Sequence, residues 1–173
     1  MSDNGEAQIQ SAASDRELVV TRSLDAPRTL VWKAWTTPEH LAVWWRPVDF
    51  DVLDCEIDLK VGGAFRVTLR GPDGALYPGN GGFREVVPPE RIVYEGLADD
   101  PDSQAHNPGG AGMPPGARVT VTFEERDGKT EVTVMTRFPS VAAQRAAVES
   151  GYDTGWTDGL AQLGALLRRL QAP

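Results

Sequence analysis

The chain is poor in the side chains on which most enzyme chemistry is built. Its 173 residues hold one cysteine and two histidines. Cys55 alone cannot close an intramolecular disulfide, which fits a reducing, cytoplasmic setting. His40 lies in a Pro-Glu-His-Leu stretch and reads as a surface residue, while His106 falls in a Pro- and Gly-rich loop. Neither a Ser-His-Asp nor a Cys-His arrangement can be built from these, and no zinc-ligand spacing exists. No catalytic set, metal or cofactor is therefore expected. Cations are also few, 17 Lys and Arg against 25 Asp and Glu for a net charge of -8, and the longest basic run is Arg168-Arg169. Phosphate binding needs clustered cations, so nucleic acid is not an expected partner. No apolar run approaches the ~20 residues that span a bilayer, so no membrane partner is expected. Residues 1–16 lack a basic start and an apolar stretch, so they read as a disordered, solvated tail with no secretory signal. The cations are mostly Arg, which with the many Ala and Gly points to a GC-rich bacterial genome.

What is present is an alternating pattern. The length suits one domain with a real core, and the 40% apolar and 24% charged content is that of a globular chain. Glu17 to Leu24 alternates as a strand. Asp25-Ala-Pro27 and Thr37-Pro38-Glu39 then each start a short helix, with Asp25 as the first cap, and these helices carry Trp32, Trp35, Trp44 and Trp45. From Asp49 to Leu59, Val52, Asp54, Glu56 and Asp58 alternate against Leu53, Cys55, Ile57 and Leu59, with the carboxylates on a solvated face. Gly62-Gly63 turns into a strand over 64–70. Neither this pair nor Gly79 to Gly82 is a phosphate loop, since no Lys-Ser/Thr follows. Further strands run over about 81–87 and 91–97, joined at Pro88-Pro89. The last two, 118–126 and 130–138, form a hairpin around Asp127-Gly128.

Residues 98–117 interrupt this rhythm with four prolines and four glycines, and a loop of that length needs a reason. One reading is a mobile lid whose Met113 and Ala111 touch an apolar ligand, and the other is a disordered surface insertion. After Ser140 the period becomes helical. Val148, Tyr152, Trp156, Leu160, Leu163, Leu167 and Leu170 form one stripe, with Gly151, Gly155 and Gly159 beside it. Three helix glycines cost ~1 kcal/mol each against Ala, which points to close approach, a kink, or a helix that begins near Gly151. Contiguous strands without crossover helices indicate an antiparallel α+β sheet with helices on one side.

Several of these segments resemble one family. Arg22-Ser-Leu-Asp-Ala-Pro27, Val31-Trp32-Lys-Ala-Trp35-Thr-Thr-Pro38-Glu39, Asp58-Leu-Lys-Val-Gly62-Gly63-Ala-Phe65-Arg66, Gly81 to Pro89 with Glu90-Arg91-Ile92-Val93-Tyr94, and Gly155-Trp156 are similar to the heat-shock-protein-90 ATPase activator homologue-like family. The resemblance runs from about 17 to 170. It implies the helix-grip fold of the START and birch-pollen-allergen superfamily, in which a curved seven-stranded antiparallel sheet wraps a long C-terminal helix, with two short helices after the first strand. It thus implies a single START-like domain over 17–171. Members bind lipids, steroids or polyketides in a cavity between sheet and helix, and no catalytic set is shared.

On that fold the expected lining is Phe65, Val67, Phe83, Glu85, Tyr94, Val121, Val134, Thr136, Tyr152 and Trp156. Apolar pockets with a few polar groups suit small ligands. Glu85 and Glu95 alternate with apolar neighbours, and a carboxyl turned inward would serve as a general acid. The resemblance, taken with this lining, implies three possible functions. The first is binding of an apolar or aromatic, lipid- or polyketide-like metabolite, in natural-product biosynthesis or self-resistance. The second is a polyketide cyclase-type enzyme using Glu85, Glu95 or Tyr94. The third is a co-chaperone-like protein-binding module. A monomer or weak homodimer is expected.

Overall fold

The computed structural model describes residues 8–11, 16–97 and 112–172. Its strands are β1 (Gln8–Ser11), β2 (Glu17–Leu24), β3 (Asp51–Ile57), β4 (Ala64–Arg70), β5 (Leu76–Val87), β6 (Arg91–Gly96), β7 (Arg118–Arg126) and β8 (Lys129–Arg137). They form one antiparallel sheet in the order β1-β2-β8-β7-β6-β5-β4-β3. The helices are α1 (Arg28–Thr36), α2 (Pro38–Trp44), α3 (Val141–Glu149) and α4 (Tyr152–Gln171). The sheet curls as a half-barrel around α4, so the fold is the α+β helix grip. The seven strands expected from alternation are all present. An eighth, β1, pairs with the outer edge of β2, within the segment read as a solvated tail.

Local chemistry explains where the elements break. Ser140 caps α3 by accepting from Ala143 N at 3.0 Å. Gly151, at φ +96, separates α3 from α4, as the glycine spacing suggested. Gly159 sits where an added Cβ would lie 3.2 Å from the Trp44 carbonyl oxygen, so close approach is its reason. Leu170, placed on the apolar stripe by spacing, is exposed in the last turn. Asp25 does not cap α1, whose N-cap is Pro27. Glu125 from β7 does that work, accepting from Arg28 N at 2.7 Å.

Two bulges correct the strand phases. In β3 the register shifts between Val52 and Asp54, so Leu53 is exposed while Val52, Cys55 and Ile57 pack on the core. Asp54, Glu56 and Asp58 do stand on a solvated face. β5 starts at Leu76, earlier than the expected start near Gly81, and its glycines pair within the ladder, Gly81 opposite Phe65 and Gly79 opposite Val67 of β4.

Residues 98–111 of the long loop lie outside the described residues, Ala111 among them. Its end, 112–117, is packed as a strap against the end of β6. Gly96 N donates to Ala117 O and Gly116 N to Gly96 O, both at 3.0 Å, and Pro115 bridges to Gly96.

Candidate functional site

The concave face of the sheet is built in rows. Phe83, Tyr94, Val119, Thr136 and Leu18 stand side by side across β5, β6, β7, β8 and β2, and Ile92, Val121, Val134 and Val20 form the next row. Strand alternation turns these side chains to one face, where all are buried. Phe65 and Val67 extend the face onto β4. The long helix supplies Tyr152 and Trp156 from the opposite side, and the end of α2 supplies Trp45.

The aromatic rings form a continuous cluster. Phe65 stacks on Phe83 at 5.1 Å and meets Tyr94 edge-on at 5.0 Å. Trp45 contacts Phe65 at 5.2 Å and Trp156 at 5.1 Å. Trp156 in turn stacks on Trp35 at 6.0 Å. Among the described residues, a narrow surface gap beside Trp35, Ile57, Phe65, Phe83 and Ile92 has no room for even a water molecule. A site for a drug-sized ligand takes roughly 300–1,000 Å³, so this gap holds no ligand as it stands.

Polar atoms inside the cluster are few and specific. Thr136 Oγ1 and the Tyr152 hydroxyl share a hydrogen bond of 2.6 Å. The indole nitrogens of Trp35 and Trp156 are buried and have no hydrogen-bond partner among the described residues. Leaving such a donor unpaired costs about 1–3 kcal/mol. Burial pushes the Tyr152 hydroxyl up to about 12, opposed by Thr136 and by the nearby Trp156 indole, which completes no hydrogen bond to it. Burial likewise holds Tyr94 well above the ordinary tyrosine range, helped by Tyr152.

A pH test follows. A tyrosine whose pKa is raised on folding contributes stability that is intact below pH ~10 and is lost as pH rises through the folded value. Stability should therefore fall from about pH 10 towards 12, with Tyr152 alone accounting for about 1 kcal/mol lost at pH 11. Urea titrations at pH 8 and pH 11 measure this, and Tyr152→Phe should remove that part of the loss. Equal losses in both proteins would show that Tyr152 is not held neutral by burial.

Nine of the ten expected lining residues meet on this face or on α4. Glu85 does not. The register shifts between Phe83 and Glu85, so Arg84 and Glu85 both leave the concave side. Glu85 bonds Arg91 at 2.8 Å in an exposed ion pair. Glu95 is also on the outer face, between Arg84 at 2.9 Å and Arg118 at 2.7 Å. Burial works to raise its pKa, but the hydrogen bonds from Arg118 and Arg84 outweigh it and hold the carboxyl below its ordinary value. Neither glutamate faces the interior as a proton donor. His40 is half-buried, with Nδ1 enclosed, instead of lying on the surface. Cys55 is pushed up to about 11 by burial, then by Asp54 and Glu39, and so stays a thiol.

The residues that alternation missed are Trp35, Trp45 and Gly112. Trp45 follows the last turn of α2, outside any periodic stripe, and only the Trp44-Trp45 doublet signals it. Among the described residues no group of three or more His, Cys, Asp or Glu is placed to hold a metal ion. None of the described helices is long and apolar enough to cross a membrane.

A curled sheet gripping a C-terminal helix over an aromatic interior defines a START-like protein. Residues 25–168 match the family model described as Activator of Hsp90 ATPase homolog 1-like protein, and the chain belongs to this family. The family falls in the START-like superfamily, whose members often bind hydrophobic ligands. The chain is similar to a crystal structure of a Nitrosomonas europaea protein, with 26% identity, a TM-score of 0.79, and coverage of 94% of this chain and 100% of that one. It is also similar to one from Mycobacterium smegmatis, at 24% identity and a TM-score of 0.80, covering 95% of this chain and 98% of the other. An AHSA1-like protein from Aeromonas hydrophila shares the fold at 22% identity and a TM-score of 0.63, with 90% of this chain and 97% of that one covered. Among curated proteins none matches the chain.

Proposed function

We propose that the protein binds an apolar, aromatic or polyketide-like small molecule between the concave sheet face and α4. The observation that carries this reading is the composition of the interior. Rings from strands and helices surround a hydroxyl pair, Thr136 and Tyr152, and two buried indole donors that none of the described residues satisfies. A ligand with acceptor atoms supplies what such donors lack, and a few polar groups in an apolar setting is how small-molecule sites achieve orientation. The cyclase reading loses its carboxylic acids, since Glu85 and Glu95 are ion-paired on the outer face. Nothing in the fold favours the co-chaperone reading.

Mass spectrometry of protein purified under native conditions tests the proposal. The expected result is a retained organic compound that is released on unfolding. Added back at a hundredfold its Kd, it should stabilise the fold by about 2.7 kcal/mol. Protein that retains nothing, and shows no thermal shift with a panel of apolar aromatic compounds, would overturn the reading.

A further inference from the structure

The strap at 112–117 is built into the concave face with unusual care. Met113 is 1% exposed, and its Sδ lies 3.1 Å from where a Cβ on Gly81 would stand. Gly112, at φ +88, lies so close to the Trp45 indole that an added Cβ would be 2.8 Å from Cζ2. A Cβ on Gly96 would meet the carbonyl oxygens of Pro114 at 2.2 Å and Met113 at 2.6 Å. Three glycines thus leave room for one short segment. Tyr94, fully buried in the middle of the sheet, donates its hydroxyl to the Gly112 carbonyl oxygen at 2.8 Å.

The two parts of the strap are held differently. Residues 114–117 are tied to the end of β6 by backbone hydrogen bonds and the Gly96–Pro115 bridge. Gly112 and Met113 enter the aromatic cluster through apolar contact and the Tyr94 hydrogen bond. They present a planar amide, a carbonyl oxygen and a short apolar arm to Trp45, Tyr94 and the space over Gly81.

We infer that Gly112 and Met113 stand in for the ligand: the molecule that replaces them is planar and apolar and bears a carbonyl oxygen, which takes the Tyr94 hydroxyl and lies against Trp45. This rests on the reading that the interior binds a small molecule, and adds its chemical class and the segment it displaces. A hydrocarbon entering here strands the Tyr94 hydroxyl without an acceptor, whereas a ketone, quinone or amide restores the bond. The asymmetry of the hydrogen bond, modest when made and costly when left unmade, sets the selectivity. While seated, the strap competes with the ligand, so apparent affinity falls with the fraction of molecules whose strap is in place.

The probes are 2-acetylnaphthalene and 2-ethylnaphthalene, two planar molecules of near-equal shape that differ in the carbonyl oxygen. Binding is followed by NMR titration of the indole N–H signals and the Gly112 and Met113 amides. The wild-type protein should bind the ketone about three- to tenfold more tightly, with the Gly112 and Met113 amides shifting on binding. Tyr94→Phe should abolish the preference, chiefly by tightening the hydrocarbon, which then strands no hydroxyl and breaks no Tyr94–Gly112 hydrogen bond on entry. Gly112→Ala cannot seat against Trp45 and should tighten both probes, as should Met113→Ala if the first variant folds poorly. If both probes bind but the ketone preference survives Tyr94→Phe, or the strap amides do not respond, this inference fails and the binding function stands. If neither probe binds wild type or either strap variant, both fail.

Discussion

Replacing Trp156 with alanine is expected to cost about 3–5 kcal/mol, the range for deleting a buried aromatic. The indole is 5% exposed and lies where Trp35, Trp45 and Tyr152 converge, at 6.0, 5.1 and 6.4 Å. Those rings come from α1, the end of α2 and the start of α4, so they cannot all collapse into the space left behind. Trp156→Phe should behave differently. It keeps a ring in place and removes an indole nitrogen that has no partner among the described residues, so its cost should stay below about 1.5 kcal/mol. Denaturant titration of the two variants checks this. A loss below about 1 kcal/mol for the alanine variant would mean that the inner face of α4 has been misassigned.

The second large effect is expected at Gly63, where alanine should cost on the order of 3 kcal/mol. An added Cβ would stand 1.9 Å from the Asp58 carbonyl oxygen and 2.9 Å from its carbon. Both sides of this clash are pinned. Asp58 N donates to Ala64 O at 2.8 Å, Gly63 N to Lys60 O at 2.8 Å, and Phe83 N to Gly63 O at 2.9 Å. Moving apart therefore means breaking the turn that joins β3 to β4. The neighbouring Gly62 is the control. It has φ +86 with nothing within 4 Å of an added Cβ, so alanine there pays only the left-handed penalty of about 1–2 kcal/mol. Thermal melts rank the two, and an equal cost would show that the turn gives way.

Alternation located the seven main strands because each has one buried and one solvated face, which is what a period of two reports. It placed Val67, Val121, Val134 and Thr136 correctly for the same reason. It failed where the chain counts differently. A bulge inserts a residue that leaves no mark on composition, so Glu85 looked in phase with Phe83 and Leu53 with Cys55. Asp25 and Pro27 resembled a helix start, but the cap came from Glu125, far along the chain, and no local signal carries that. The strap was hidden for another reason. Its prolines and glycines suggest an absence of structure, yet at Gly96 and Gly112 the missing side chains allow backbone to pack against carbonyls and an indole. The identity of a ligand is further still from the sequence, because the concave face is assembled from residues spread over most of the chain.

The helix at the centre of the grip has a consequence for biosynthesis. Gln162 Nε2 donates to the carbonyl oxygens of Trp44 at 3.4 Å and Arg46 at 2.6 Å, and β2 pairs with β8 along its whole length. The end of α2 is thus secured by a residue that leaves the ribosome more than a hundred residues later. During translation, at about 5–20 residues per second, Trp35, Trp44 and Trp45 are synthesised well before α4 exists to cover them. A ribosome that stalls before α4 would display a half-built sheet with an uncovered aromatic face, the kind of surface that chaperones hold and other nascent chains stick to.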